Sequence, residues 1–211
     1  MIRNNIIEKL RQESAVSLPG WEAQKKMSPS YRGELQLEKI LEMNPKRGAV
    51  AIVLYEKEEN IHFILTQRHE YEGTHSGQVS FPGGKQETSE SILETAIRET
   101  YEEVGIGLDS SNVCLALTPI YIPPSHFLVS PYVFYVPSIS AFQPDPYEVK
   151  EVLEVPLHHI LQTEKKIITD ISSSKGLIKD VPAYALEDRI VWGATAIILS
   201  ELEAILLKFR V

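Results

Sequence analysis

The chain has one cysteine in 211 residues, Cys114, which excludes a disulfide framework within it. Its setting, Val113-Cys114-Leu115-Ala116-Leu117, is apolar, and a thiol there behaves as a small buried hydrophobe. Long hydrophobic runs are lacking too. No segment approaches the length of a membrane span, and the first residues show no apolar stretch followed by a cleavage site. A soluble cytoplasmic protein is the expectation. Basic residues never cluster beyond pairs such as Lys25-Lys26 and Lys165-Lys166, and the net charge is −8. That balance argues against a general nucleic-acid or membrane-surface binder, while a local basic pocket for a phosphorylated small molecule stays compatible with it. Repeats, low-complexity tracts and interdomain linkers are also missing. With 43% hydrophobic residues, the chain reads as a single domain over 1–211, with 1–45 a helical and extended N-terminal extension. The sequence leaves monomer and homodimer open.

Apolar spacing places a short amphipathic helix over residues 2–17, an extended Pro/Gly/Ser-rich connection over 18–32 and a short helix over 35–43. Residues 49–55 and 61–66 read as a hairpin around a polar turn. Strands are expected over 113–120 and 132–136, with weaker ones over 167–171 and 190–191. An apolar segment over 153–161 turns into a helix near Pro156, and a long packed helix ends the chain over 194–209. Strands mixed with helices imply an α/β fold, a mixed sheet covered by helices on both faces.

The chemistry concentrates between Gly84 and Ile106. In a helix, Glu99, Glu102 and Glu103 stand at i, i+3 and i+4 and share a face. Leu93, Ile97, Thr100 and Val104 form a second, core-facing stripe roughly opposite. Thr88 or Ser89 offers an N-cap, Glu90 sits in the first turn, and Gly105 suits a left-handed helix end. Phe81-Pro82-Gly83-Gly84 reads as a loop that brings backbone close to a ligand. An acidic helix face is ordinarily just solvated. Clustered carboxylates that repel one another are instead suited to Mg²⁺ or Mn²⁺ shared with substrate phosphates.

This segment resembles the Nudix box, Gly-x5-Glu-x7-Arg-Glu-U-x-Glu-Glu-x-Gly-U, where U is a bulky aliphatic residue. Gly84, Glu90, Arg98, Glu99, Glu102, Glu103, Gly105 and Ile106 match it without a gap. Thr100 departs at the first U position, where its hydroxyl can bond back to the carbonyl four residues earlier. The resemblance implies a Nudix-type α/β/α sandwich and metal-assisted hydrolysis of a nucleoside diphosphate derivative. It implies a metal held by Glu99, Glu102, Glu103 and the Gly84 carbonyl, with Glu99 or Glu102 as base. In many Nudix enzymes a later carboxylate completes the set. Glu148, Glu151 and Glu154 are spaced by three, and Glu148 is the best candidate, against a solvated acidic face.

Upstream, Ile64-Leu65-Thr66-Gln67-Arg68 and Gly77-Gln78-Val79-Ser80-Phe81-Pro82-Gly83-Gly84 are similar to the signature of the coenzyme A pyrophosphatase branch, with every spacing kept. His69 replaces a small residue and Gly73 a second arginine, so one phosphate contact of that pattern is missing. Val191–Ala196 resembles the segment opening the last helix of that branch. The branch implies hydrolysis of coenzyme A to 3′,5′-ADP and 4′-phosphopantetheine; ADP-ribose, a dinucleotide or NADH is the nearer alternative, and a non-catalytic binding module the more distant. Arg68 is the candidate cation for substrate phosphate, against a surface ion pair at a strand end. Gln78 and Ser80 share a face if extended, which makes them candidate substrate contacts. Arg98 reads as structural, pairing with Glu90 or Glu94; His69 and His75 are weak candidates as proton donors. The Pro-rich stretch 122–127 is either a cover for substrate or a stiff connector.

Overall fold

The computed structural model describes residues 2–13, 18–29, 33, 36–69, 77–173 and 176–209. Its strands are β1 (Lys46–Lys57), β2 (Asn60–Arg68), β3 (Val79–Ser80), β4 (Gly83–Lys85), β5 (Val113–Ala116), β6 (Ile120–Ile122), β7 (Phe127–Tyr135), β8 (Val149–Pro156), β9 (Lys166–Ser173), β10 (Gly176–Leu186) and β11 (Arg189–Trp192). The helices are α1 (Ile2–Gln12), α2 (Trp21–Gln24), α3 (Leu37–Glu42), α4 (Ile92–Val104) and α5 (Gly193–Lys208).

β1 organises the main sheet. It turns into β2 through Glu58-Glu59, both at left-handed φ (47° and 66°), as a tight hairpin requires. On its other side it runs parallel to β7, from Lys46↔Phe127 to Leu54↔Tyr135. Its first half also pairs antiparallel with β4, Gly48 opposite Lys85 and Ala49 opposite Gly84. β8 and β3 pair with β2, and β5 and β6 with β7, giving a mixed sheet of eight strands.

Alternation along β1 sorts its side chains between two cores. Ala49, Ala51, Val53 and Tyr55 pack with Ile64, Phe134 and the α4 residues Ala96 and Val104. Ile52 and Leu54 face the other way, onto Phe63, Leu65, Leu199 and Leu202, with Ile6, Ile7 and Leu10 of α1 in the same core. Helices therefore cover both faces, the α/β/α sandwich expected. Cys114 is buried as a small hydrophobe, and burial raises its thiol pKa. Among the described residues no helix is long and apolar enough to cross a membrane.

α2 and β10 are among the elements that depart from the sequence reading. The stretch expected to be extended over 18–32 contains α2, entered through Gly20 at φ 52°. It is held by Glu201, fully buried on α5, which accepts from the Gly20 N–H (3.1 Å) and from Gln24 Nε2 (3.0 Å). β10 has no counterpart in the sequence reading. Pro182 and the polar pair Lys179-Asp180 break its alternation, and the structure absorbs them in a register shift between Ile178 and Val181, with Asp180 at φ 53°. β9, β10 and β11 form a separate three-stranded sheet that joins the α5 core through Tyr184, Leu186 and Val191.

Candidate active site

α4 begins one turn later than the sequence suggests. Ser91, not Thr88 or Ser89, is the N-cap; its hydroxyl accepts from the Glu94 N–H (3.2 Å), and Glu94 reaches back to the Ser91 N–H (2.6 Å). Glu90 therefore precedes the helix. It takes Arg98 in two bonds, from Nε (2.9 Å) and Nη2 (2.8 Å), and also bonds Thr95 and the Glu87 N–H. The helix ends at Gly105, φ 72°, as expected. Thr100 donates its hydroxyl to the Ala96 carbonyl at 2.6 Å, the local bond expected of a threonine there.

The Glu90–Arg98 contact has a measurable consequence. The bonds from Arg98 are the main reason the Glu90 carboxyl is held down at about 2 from its ordinary 4.5. A depressed carboxylate stabilises the fold fully above about pH 4.5 and loses that contribution as pH falls through about 2. Glu90→Gln is therefore expected to melt several degrees below the parent near neutrality, and the gap should shrink between about pH 6 and about pH 3. Melting curves in which the gap does not change with pH would show that the ion pair is not the source.

The buried sector of α4 runs along Ala96, Thr100, Glu103 and Val104, positions i, i+4, i+7 and i+8. The acidic face and the core stripe are thus adjacent rather than opposite. Glu103 points inward and is 4% exposed, Glu99 is half-buried, and Glu102 is exposed. Burial pushes the Glu103 carboxyl up to about 8, although Arg68 and a hydrogen bond from the Gly83 backbone pull the other way. Burial likewise raises Glu99, against Arg98. Among the described residues Glu103 Oε2 has no hydrogen-bond partner. A buried carboxylate oxygen left unpaired costs roughly 1–3 kcal/mol or more unless something cationic meets it.

The glycines before the helix make room for these groups. Gly83 and Gly84, expected in a loop, lie in β4 against β1. A Cβ on Gly84 would overlap the Glu99 carboxylate, which lies directly against its Cα. Gly83, at φ 153°, packs so closely on β1 that a Cβ would stand 2.7 Å from Val50 Cα. The Gly84 carbonyl faces the Gly48 backbone, where an added Cβ would meet it at 2.6 Å.

Arg68, at the end of β2, is one-third exposed and lies between two carboxylates, Glu148 Oε2 at 2.7 Å and Glu103 Oε1 at 3.9 Å. Glu148 is half exposed on a turn tied to α4, since the Asp145 N–H donates to the Glu103 carbonyl (3.0 Å) and the Glu148 N–H to the Asp145 carbonyl (3.2 Å). Glu148, Glu151 and Glu154 form no solvated acidic face; Glu151 pairs with Arg189 and Glu154 with Lys57. Gln78 and Ser80 flank buried Val79 and share a face. The Gln78 carbonyl accepts from the Arg68 N–H at 3.0 Å. His69 contacts the Pro146 carbonyl (3.0 Å). Gly73 and His75 lie outside the described residues. His126 uses both ring nitrogens, toward Tyr121 Oη (2.7 Å) and the Met43 carbonyl (3.2 Å), which ties its Pro-rich turn to the residues before β1.

Arg98 Nη1 stands between Glu102 (2.7 Å) and Glu99 (3.0 Å), and among the described residues no three acidic, His or Cys side chains form a ready-made cation cage. The chemistry of the donor set still fits a hard divalent ion: three carboxylates from one helix, one with a buried oxygen unpaired among the described residues and another packed against Gly84. Sequence reasoning did not find the Arg68–Glu103 approach or the Arg68–Glu148 pair, because nothing local signals contacts across 35 and 80 residues.

Residues 45–173 match the family profile described as the NUDIX domain. The chain is 31% identical over 179 residues to the mitochondrial coenzyme A diphosphatase NUDT8 of Homo sapiens, covering 80% of this chain and 76% of that protein. It is 36% identical over 140 residues to the Nudix hydrolase NudL of Yersinia enterocolitica, covering 66% and 71%. Among solved structures, a MutT/nudix family protein from Enterococcus faecalis superposes with a TM-score of 0.56 at 17% identity, covering 94% of this chain and 71% of that one.

Proposed function

Because the chain belongs to the Nudix family and is a pyrophosphohydrolase, we propose that its substrate is coenzyme A, cleaved to 3′,5′-ADP and 4′-phosphopantetheine. The observation that carries the site is the buried Glu103 Oε2, unpaired among the described residues, on a carboxyl that also feels the charge of Glu99, itself packed against Gly84. Two things support the choice of substrate: the run from Ile64 to Gly84 with its spacings kept, and the relative named a coenzyme A diphosphatase.

Glu99, Glu102, Glu103 and the Gly84 carbonyl would hold Mg²⁺ or Mn²⁺, which when bound neutralises the diphosphate and activates water. The protein's own part is positioning and proton handling. Arg68 would leave Glu148 for a substrate phosphate, two of whose oxygens accept parallel N–H bonds as the two oxygens of a carboxylate do. That exchange frees Glu148 at the rim of the site to take the proton of the attacking water; Glu99 and Glu102 are the other acceptors within the set. Gln78 and Ser80, on one face beside Arg68, would contact the same substrate. Small nucleotides are the partner class.

Arg68 lies within ion-pair range of Glu103, which favours a contact to the cleaved diphosphate over the 3′-phosphate. Arg68→Ala is thus expected to reduce kcat/KM by an amount equivalent to about 1.5–3 kcal/mol, equally for coenzyme A and dephospho-coenzyme A. A loss confined to coenzyme A would move Arg68 to the 3′-phosphate, and an unchanged rate would remove it from the site. The substrate itself is tested by turnover of coenzyme A beside ADP-ribose, dinucleotides and NADH, with products identified by mass. Failure to cleave coenzyme A while another member of the panel turns over would overturn the proposal.

A further inference from the structure

The three-stranded sheet meets the main sheet beside the candidate site, and one arginine spans the join. β10 turns into β11 through Glu187-Asp188, both at left-handed φ (45° and 57°), which sets Arg189 opposite buried Leu186. From there Arg189 reaches two strands at once. Its Nε donates to Gln67 Oε1 of β2 (3.0 Å) and its Nη2 to Glu151 Oε2 of β8 (2.8 Å). A planar guanidinium constrains the direction of both bonds, which a point charge does not. Glu187 of the same turn contacts His159, just beyond β8 (3.1 Å). Thr195, in the first turn of α5, donates to the carbonyl of Val79 (3.1 Å), the β3 residue paired with Gln67. The cross-strand row Val79–Gln67–Glu151 is thus gripped from the α5 side.

The neighbouring row carries the chemistry. Arg68 follows Gln67 and takes the opposite face of β2, where it meets Glu148 and Glu103. On β8 the register slips between the two rows: Gln67 stands opposite Glu151 but Arg68 opposite Val149, so Lys150 is an extra residue. A bulge of this kind bends its strand and re-aims the side chains beyond it. Here the residues beyond it are Val149 and Glu148, the partner of Arg68. Arg189 therefore holds the last regular pair before the bulge, and Gln78 and Ser80 flank the third member of the gripped row.

We propose that Arg189 is a positioning residue for the hydrolysis, keeping Arg68 and Glu148 in place at the rim of the site from the other face of the sheet. It acts through Gln67 and Glu151 and does not itself touch substrate. This rests on the roles proposed for Arg68 and Glu148, and it makes the second sheet part of the functional unit. Arg189 and Glu151 are both partly exposed, and ion pairs of that kind add little to stability. The effect falls on geometry instead, because a small displacement of a reacting group slows the reaction even when it originates away from the chemistry.

The test is a mutant cycle on kcat/KM with Mg²⁺, using whichever diphosphate of the substrate panel turns over fastest. Arg189→Ala is expected to lower kcat/KM about tenfold while the urea midpoint stays near that of the parent. Arg189→Lys, which keeps the charge but not the fork, should recover only part of the loss. Residues that act independently give additive losses. In Arg68→Ala or Glu148→Gln protein, by contrast, Arg189→Ala should cost less than about twofold further. An unchanged rate in Arg189→Ala, the full loss repeated in both backgrounds, or a rate that merely follows a fall in the urea midpoint overturns the proposal. If Glu148→Gln alone turns over at the parent rate while the Arg189 loss vanishes in Arg68→Ala protein, Glu148 is not the base and the positioning role stands through Arg68. If Arg68→Ala and Glu148→Gln both leave the rate unchanged, the role of Arg189 falls with theirs.

Discussion

Glu103→Gln is expected to lower turnover by roughly two orders of magnitude or more while leaving the fold intact. The substitution keeps size and helix propensity but removes the charge. Burial already disfavours that charge, holding the carboxyl up at about 8, so the uncharged amide should be tolerated or slightly stabilising. Glu102→Gln should lose activity on the same scale, although Glu102 is exposed and bonded to Arg98. Steady-state kinetics with Mg²⁺ and a urea melt on the same preparations separate the two effects. Turnover at the parent rate in both variants would sink the site, and a large drop in the melting midpoint would show that Glu103 is a structural residue.

Replacing Glu201 by alanine should produce the largest loss of stability, about 3–5 kcal/mol. This carboxylate is fully buried on α5 and accepts from the Gly20 N–H, Gln24 Nε2, the Thr118 N–H (3.2 Å) and Thr118 Oγ1 (2.6 Å). Alanine leaves those donors without an acceptor in a dry interior, and each unsatisfied group costs about 1–3 kcal/mol. Glu201→Gln keeps one acceptor oxygen and should cost less. Urea denaturation read by tryptophan fluorescence ranks the three proteins, and equal midpoints would show that α2 and the Thr118 turn are held by packing instead.

The sequence by itself determined the features that are encoded within a few turns of chain. The box from Gly84 to Ile106 carries its chemistry in spacing alone, the left-handed cap at Gly105 follows from residue type, and the apolar run of α5 is long enough to read without context. A helix face, however, is inward or outward only with respect to what packs on it. Glu103 shares a face with Glu99 and Glu102 in projection, yet the sheet covers it and leaves Glu102 in solvent. The same limit hid Glu201, whose partners lie 83 and about 180 residues away in the chain. It hid β10 as well, which is held by pairing to β9 and β11 on both sides although its own pattern is broken. The Arg68–Glu148 pair depends on strand register. Register is set by hydrogen bonding and burial over the whole sheet, and no short stretch of residues contains it.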